Sequence, residues 1–120
     1  MAERLTAFTN RAYGRKFTLT VPAGEADITL ESIIFRIGHL RENTTIIEVS
    51  DTDVELIVPD LVVTSSGITV TLKLSAVQIA LLGNSGTFDY DMEAVDSTGS
   101  RRLDVEGSGF GTFELRDRLT

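Results

Sequence analysis

The chain has 120 residues, a formal net charge of −7 and no cysteine or tryptophan, so disulfide staples and thiolate metal sites are excluded. That length fits one domain able to bury a core without staples. The acidic balance argues against a nucleic-acid-binding body, and no apolar run approaches the ~20 residues of a membrane helix.

The first residues, Met1-Ala2-Glu3-Arg4-Leu5-Thr6, lack the apolar core of a signal peptide. Through Lys16 the chain is basic, with Arg4, Arg11, Arg15 and Lys16 against Glu3 alone, while the remainder is strongly acidic. Residues 1–13 are expected as a polar, basic arm and residues 14–120 as the folded domain. The four basic residues are candidate contacts for an acidic partner surface. A frayed, solvated terminus is the alternative.

Beyond the arm nearly every segment alternates with period 2, the mark of half-buried strands. Phe17, Leu19 and Val21 alternate with threonines until Pro22-Ala23-Gly24 breaks the strand. Ser32 to Ile37 predicts a fuller strand with Ile33, Phe35 and Ile37 on one face, and residues 38–43 predict a loop. Thr45–Val49, Val54–Val58 and Leu61–Thr64 follow as short strands. Ile68, Val70, Leu72 and Leu74 alternate cleanly with Thr69, Thr71 and Lys73. The Ser65-Ser66-Gly67 turn before them suggests a hairpin with Leu61–Thr64.

The period then changes once. Ser75-Ala76-Val77-Gln78 has the form of a capping box, and Gly83 stands where a left-handed C′ residue belongs. A short helix over about 75–82 is expected to plug one end of the core through Val77, Leu81 and Leu82. Strands over Phe88–Ala94, Arg101–Val105 and Phe110–Leu115 complete the pattern, the first two forming a hairpin across Asp96-Ser97-Thr98-Gly99. Together these elements predict an all-β, immunoglobulin-like antiparallel sandwich of seven to nine short strands with one short helix.

Few residues suggest chemistry. His39 is the single histidine, with no nucleophile or orienting partner in view, which favours an exposed or structural role. Asp51, Asp53 and Glu55 open like a calcium loop, but the sixth position is Leu56 and the twelfth Val62, so a solvated turn is expected. Asp89, Asp91 and Glu93 share one strand face, a repulsive arrangement that Arg101 or Arg102 from the hairpin partner is placed to answer. Gly107-Ser108-Gly109-Phe110-Gly111 lacks the strand–helix setting of a phosphate loop and instead predicts a bulge or close backbone approach. No catalytic residue, cofactor site or metal site is expected.

From Leu74 the order of features carries a resemblance. The cap Leu74 to Leu82 precedes Gly86, the strand Phe88-Asp89-Tyr90-Asp91-Met92-Glu93, then Gly99, Leu103, Gly107 and a final strand from Phe110 to Leu115. This resembles small immunoglobulin-like proteins and domains of tailed bacteriophages and prophages, and the N-terminal domain of phage baseplate upper proteins ends comparably. The resemblance implies a non-enzymatic virion structural protein, made in the host cytoplasm, that attaches or decorates tail, baseplate or fibre parts. It implies a stand-alone module, other virion proteins as partners, and several copies in a symmetric assembly. Ser75, Gln78, Gly83, Tyr90, Asp91, Gly107 and Phe110 become structural signature positions, with Tyr90 packed inward. Capsid decoration or a head–tail neck role is the alternative, and a carbohydrate- or ligand-binding sandwich module a second one, although Tyr13 and Tyr90 are a thin aromatic supply for it.

Overall fold

The computed structural model describes residues 4–20, 24, 26–96, 99–101 and 111–117. Among these residues ten strands, against the seven to nine expected, run in chain order: β1 (Arg4–Phe8), β2 (Tyr13–Leu19), β3 (Ile28–His39), β4 (Thr44–Ser50), β5 (Leu56–Ile57), β6 (Val62–Val63), β7 (Ile68–Leu74), β8 (Gly86–Asp96), β9 (Gly99–Arg101) and β10 (Gly111–Arg116). The α-helix α1 (Ala76–Ala80) joins β7 to β8, and a 3-10 turn spans Leu40–Glu42.

Two sheets face each other. One runs β1-β10-β8-β3-β4, with β6 extending β3 and β9 extending β8; the other runs β2-β7-β5. A β10-β8-β3-β4 layer opposite β2-β7-β5 is the strand arrangement of an immunoglobulin-like sandwich. The fold class expected from period-2 alternation therefore holds, with two refinements. β3 and β8 are long, at 12 and 11 residues, and β1 pairs with β10 in parallel, Leu5 opposite Phe113 and Ala7 opposite Leu115.

That parallel pair corrects the expected N-terminal arm. Over its described part the segment 1–13 is mainly strand, and Leu5 and Ala7 are buried in the core. Only two apolar residues alternate there and one is an alanine, so the period-2 signal is weak. A second correction concerns β6, which pairs with β3 (Ile28 opposite Val63) and not with β7. The turn before β7 does form, with Gly67 N–H donating to Thr64 O at 3.0 Å and Gly67 at φ +84. It leads from one sheet to the other, so it closes no hairpin.

The core lies between the layers. Ile33, Phe35 and Ile37 of β3 and Phe88, Tyr90, Met92 and Ala94 of β8 face Phe17 and Leu19 of β2 and Val70, Leu72 and Leu74 of β7. Each large side chain so buried contributes roughly 1.5–3 kcal/mol before ordering costs. Phe35 stands between Phe17 and Tyr90, with ring centroids 5.8 Å from each. In antibody domains these three strands are pinned by a disulfide packed on a tryptophan. With no cysteine or tryptophan available, three aromatic rings link the same strands.

The helix is held from both ends of its capping box. Gln78 N–H donates to Ser75 Oγ at 3.2 Å, and Ser75 N–H donates to Gln78 Oε1 at 2.9 Å. Past the C-cap Leu81, Leu82 N–H and Gly83 N–H make tight i→i−3 bonds to Ile79 O and Ala80 O before Gly83, at φ +80, ends the turn. Gly83 thus takes the expected left-handed conformation, one residue later than C′. The helix does cover the core, but through Ile79 and Leu82. Val77 and Leu81, expected inside, are 76% and 61% exposed.

Candidate functional site

The four basic residues do not form one patch. Arg4 lies on the outer face of the β1-β10-β8-β3-β4 sheet and pairs with Glu114 at 3.4 Å. Arg11 is exposed in the β1–β2 turn, whose N–H donates to Phe8 O. Burial alternates along β2, so Arg15 shares the inward phase of Phe17 and Leu19, while Lys16 points outward and is exposed. Arg15 and Lys16 thus project to opposite faces of β2, as strand geometry dictates for neighbouring residues.

The outer face of the larger sheet carries interlocked charges. Arg36 of β3 reaches Glu48 of β4 with a hydrogen bond of 3.1 Å, and stands 3.8 Å from Asp91 and 3.6 Å from Glu93 of β8. Arg41 answers Asp89, its backbone N–H donating at 3.2 Å and its Nε lying 3.5 Å from the carboxylate. Burial disfavours the charge on Arg36, but the Glu48 hydrogen bond and the Asp91 and Glu93 carboxylates outweigh it and hold its pKa above the ordinary arginine value. The acidic ladder of β8 is thus answered from β3 and the 3-10 turn. Arg101 pairs along the backbone with Ala94, confirming the expected hairpin there, and Arg102 lies outside the described residues. Asp91 is only 4% exposed although it sits on an outer face.

At the other side of that face Arg116 donates to Glu114 at 2.7 Å, which lowers the Glu114 carboxyl below its ordinary range and raises Arg116. These exposed pairs set local geometry more than stability.

The remaining candidates have structural partners. The His39 ring packs on Phe88 with centroids 5.1 Å apart. In the calcium-like stretch Asp53 Oδ2 accepts from Ser50 N–H at 2.8 Å and closes the turn, Asp51 Oδ1 accepts from Ile33 N–H of β3 at 3.0 Å, and Glu55 Oε2 is buried without a hydrogen-bond partner among the described residues. Among the described residues no group of His, Asp or Glu is arranged to hold a metal. Tyr90 is buried and stacked on Phe35, at the inward position the resemblance implies. Gly107 and Phe110 lie outside the described residues, whereas Gly111 begins β10 directly opposite Tyr90.

Two hollows near the end of α1 share Asp117. One, of about 300 Å³, is lined by Thr9, Asn10, Ile79, Ala80, Gly83 and Asn84. The other, of about 420 Å³, lies over Ser85, Thr87, Glu114 and Arg116. Both are open, and neither has the enclosed apolar walls of a small-molecule pocket. Among the described residues the outer face of the larger sheet is locked by ion pairs, and that of the smaller sheet is rich in threonine. Arg36 and Arg41 were not singled out from sequence. Arg36 does fall in the polar phase between Phe35 and Ile37, which was the available signal.

No protein-family model matches the chain, and no curated protein is significantly similar to it. Among the described residues no helix is long and apolar enough to cross a membrane.

Proposed function

We propose that this protein is a non-enzymatic structural module of a tailed bacteriophage particle, serving as a small adaptor in the tail, baseplate or fibre region. The reading rests on the resemblance of the segment from Leu74 to Leu115. One observation carries it: the described parts of that segment adjoin one another, with the capped helix leading into β8, Tyr90 turned into the core, and β10 seated beside β8. A sandwich whose larger sheet carries interlocked charges on its outer face, and whose described hollows are open, is suited to presenting faces and edges to neighbouring subunits. On this reading the partners are other virion proteins, and several copies sit in a symmetric assembly.

Immunogold electron microscopy of particles from a producing lysate tests the proposal. Labelling of virions at a fixed location is expected. Unlabelled particles together with a specific hit on a glycan array would overturn it in favour of a carbohydrate-binding module.

A further inference from the structure

The smaller sheet ends in β2, and hydrogen-bond parity shows which of its backbone groups face outward. Lys73 N–H donates to Glu55 O at 2.7 Å, so Lys73 and Thr71 direct their backbone groups toward β5. The alternate residues Leu74, Leu72, Val70 and Ile68 therefore turn toward β2, where they oppose Tyr13, Arg15, Phe17 and Leu19. Gly14, Lys16 and Thr18 are left with N–H and C=O groups directed to the open side of β2, where no described strand lies.

The other edges are blunted by familiar devices. β5 has two residues. β4 is distorted by a bulge at the Ile37/Gly38 step, and its Ser50 N–H is taken by Asp53. β1 has five residues, and Arg4 on it is paired with Glu114. β2 offers seven regular residues.

The charge on β2 and β7 is of one sign, and Glu55 stands opposite Lys73 on the side away from β2. Lys16 and Lys73 are exposed on the outer face among Thr18, Thr69 and Thr71, with Arg11 at the approach, and neither β2 nor β7 carries an acid. Lys73 lies opposite Gly14, which has no side chain to screen it from a strand added beyond β2. In a chain of net charge −7 this edge stands apart. Its like charges also discourage β2 from pairing with a second copy of itself.

We propose that the open edge of β2 docks an extended segment of a partner protein with acidic side chains at alternate positions, adding as a fourth strand. Main-chain bonds to Gly14, Lys16 and Thr18 would supply affinity, and Lys16 with Lys73 would select acidic residues on the outer face. This stands on the edge and its charges and does not depend on the particle reading; within that reading the segment is an arm of a neighbouring subunit.

The test uses the isotope-labelled full chain and a peptide of about nine residues alternating glutamate with valine, close to the length of a strand. A second peptide carries lysine for glutamate. The expected result is saturable perturbation and slowed exchange of the Gly14, Lys16 and Thr18 amides with the acidic peptide alone, weakened by salt. Lys16→Glu, an exposed change that keeps the fold, is expected to weaken binding at least about tenfold. Perturbation elsewhere, equal response to both peptides, or none at all would overturn the proposal.

Discussion

The Tyr90 ring lies directly over Gly111. The two residues are register partners in β8 and β10, and a Cβ built on Gly111 would collide with Cε1, Cζ and the hydroxyl oxygen of Tyr90. The glycine run expected to allow a close backbone approach does so at its last member, beneath a buried tyrosine of the core. Here glycine is required by the side chain of its cross-strand neighbour.

Gly111→Ala must therefore displace Tyr90 and disturb its stack on Phe35. A loss of about 1–3 kcal/mol in unfolding free energy is expected, as for other overpacked cores. Denaturant titration checks it. In a Tyr90→Leu background the same change is expected to cost clearly less, because the ring it strikes is gone.

The helix divides its residues by face. Ser75→Ala removes the acceptor for Gln78 N–H and is expected to cost about 0.5–2 kcal/mol. Ile79→Ala, at a fully buried position, is expected to cost roughly 2–5 kcal/mol. Val77→Ser and Leu81→Ser are expected to stay within about 0.5 kcal/mol of the parent. Equilibrium unfolding of the four variants separates these expectations.

Arg36 joins three carboxylates on two neighbouring strands. Arg36→Met keeps most of the stem packing but leaves Asp91, which is nearly buried, without this cation. A cost of about 1–3 kcal/mol is expected. The comparison to make is Arg4→Met, whose exposed pair with Glu114 is expected to contribute little, so that its unfolding curve stays close to the parent's.

Tyr13 packs edge-on against Phe113 with centroids 5.4 Å apart, and burial pushes its phenol up to about 12. The folded state thus holds the proton more tightly than the unfolded chain, whose tyrosine titrates near 10. The associated stability is present below pH 10 and is lost as pH rises toward 12. In a Tyr90→Phe background the tyrosinate absorbance is expected to appear late, near that upper value, and Tyr13→Phe is expected to flatten the alkaline loss.

Local patterns made much of this fold legible. Alternation at Ile68–Leu74 gave both the strand and its buried face, and the Ser75–Gln78 box gave the start of the helix. Failures came where the partner is distant or the element short. A five-residue helix offers more than one apolar stripe, so Ile79 and Leu82 could not be told from Val77 and Leu81 before the direction of the core was known. Leu5 and Ala7 find their partners at Phe113 and Leu115, almost the whole chain away. The acidic ladder of β8 meets Arg36 of β3, a partner far off in sequence that the ladder itself does not point to. The β2 edge was hidden for the same reason: only the pairing of β2 with β7 shows which side stays open.

Quantitative mass spectrometry of gradient-purified virions tests the proposal that this chain is a built-in part of a phage particle. The chain is expected at a constant copy number relative to the other structural proteins, unchanged by washing in high salt. Its absence from purified particles, or a trace amount that varies between preparations and washes away, would contradict it.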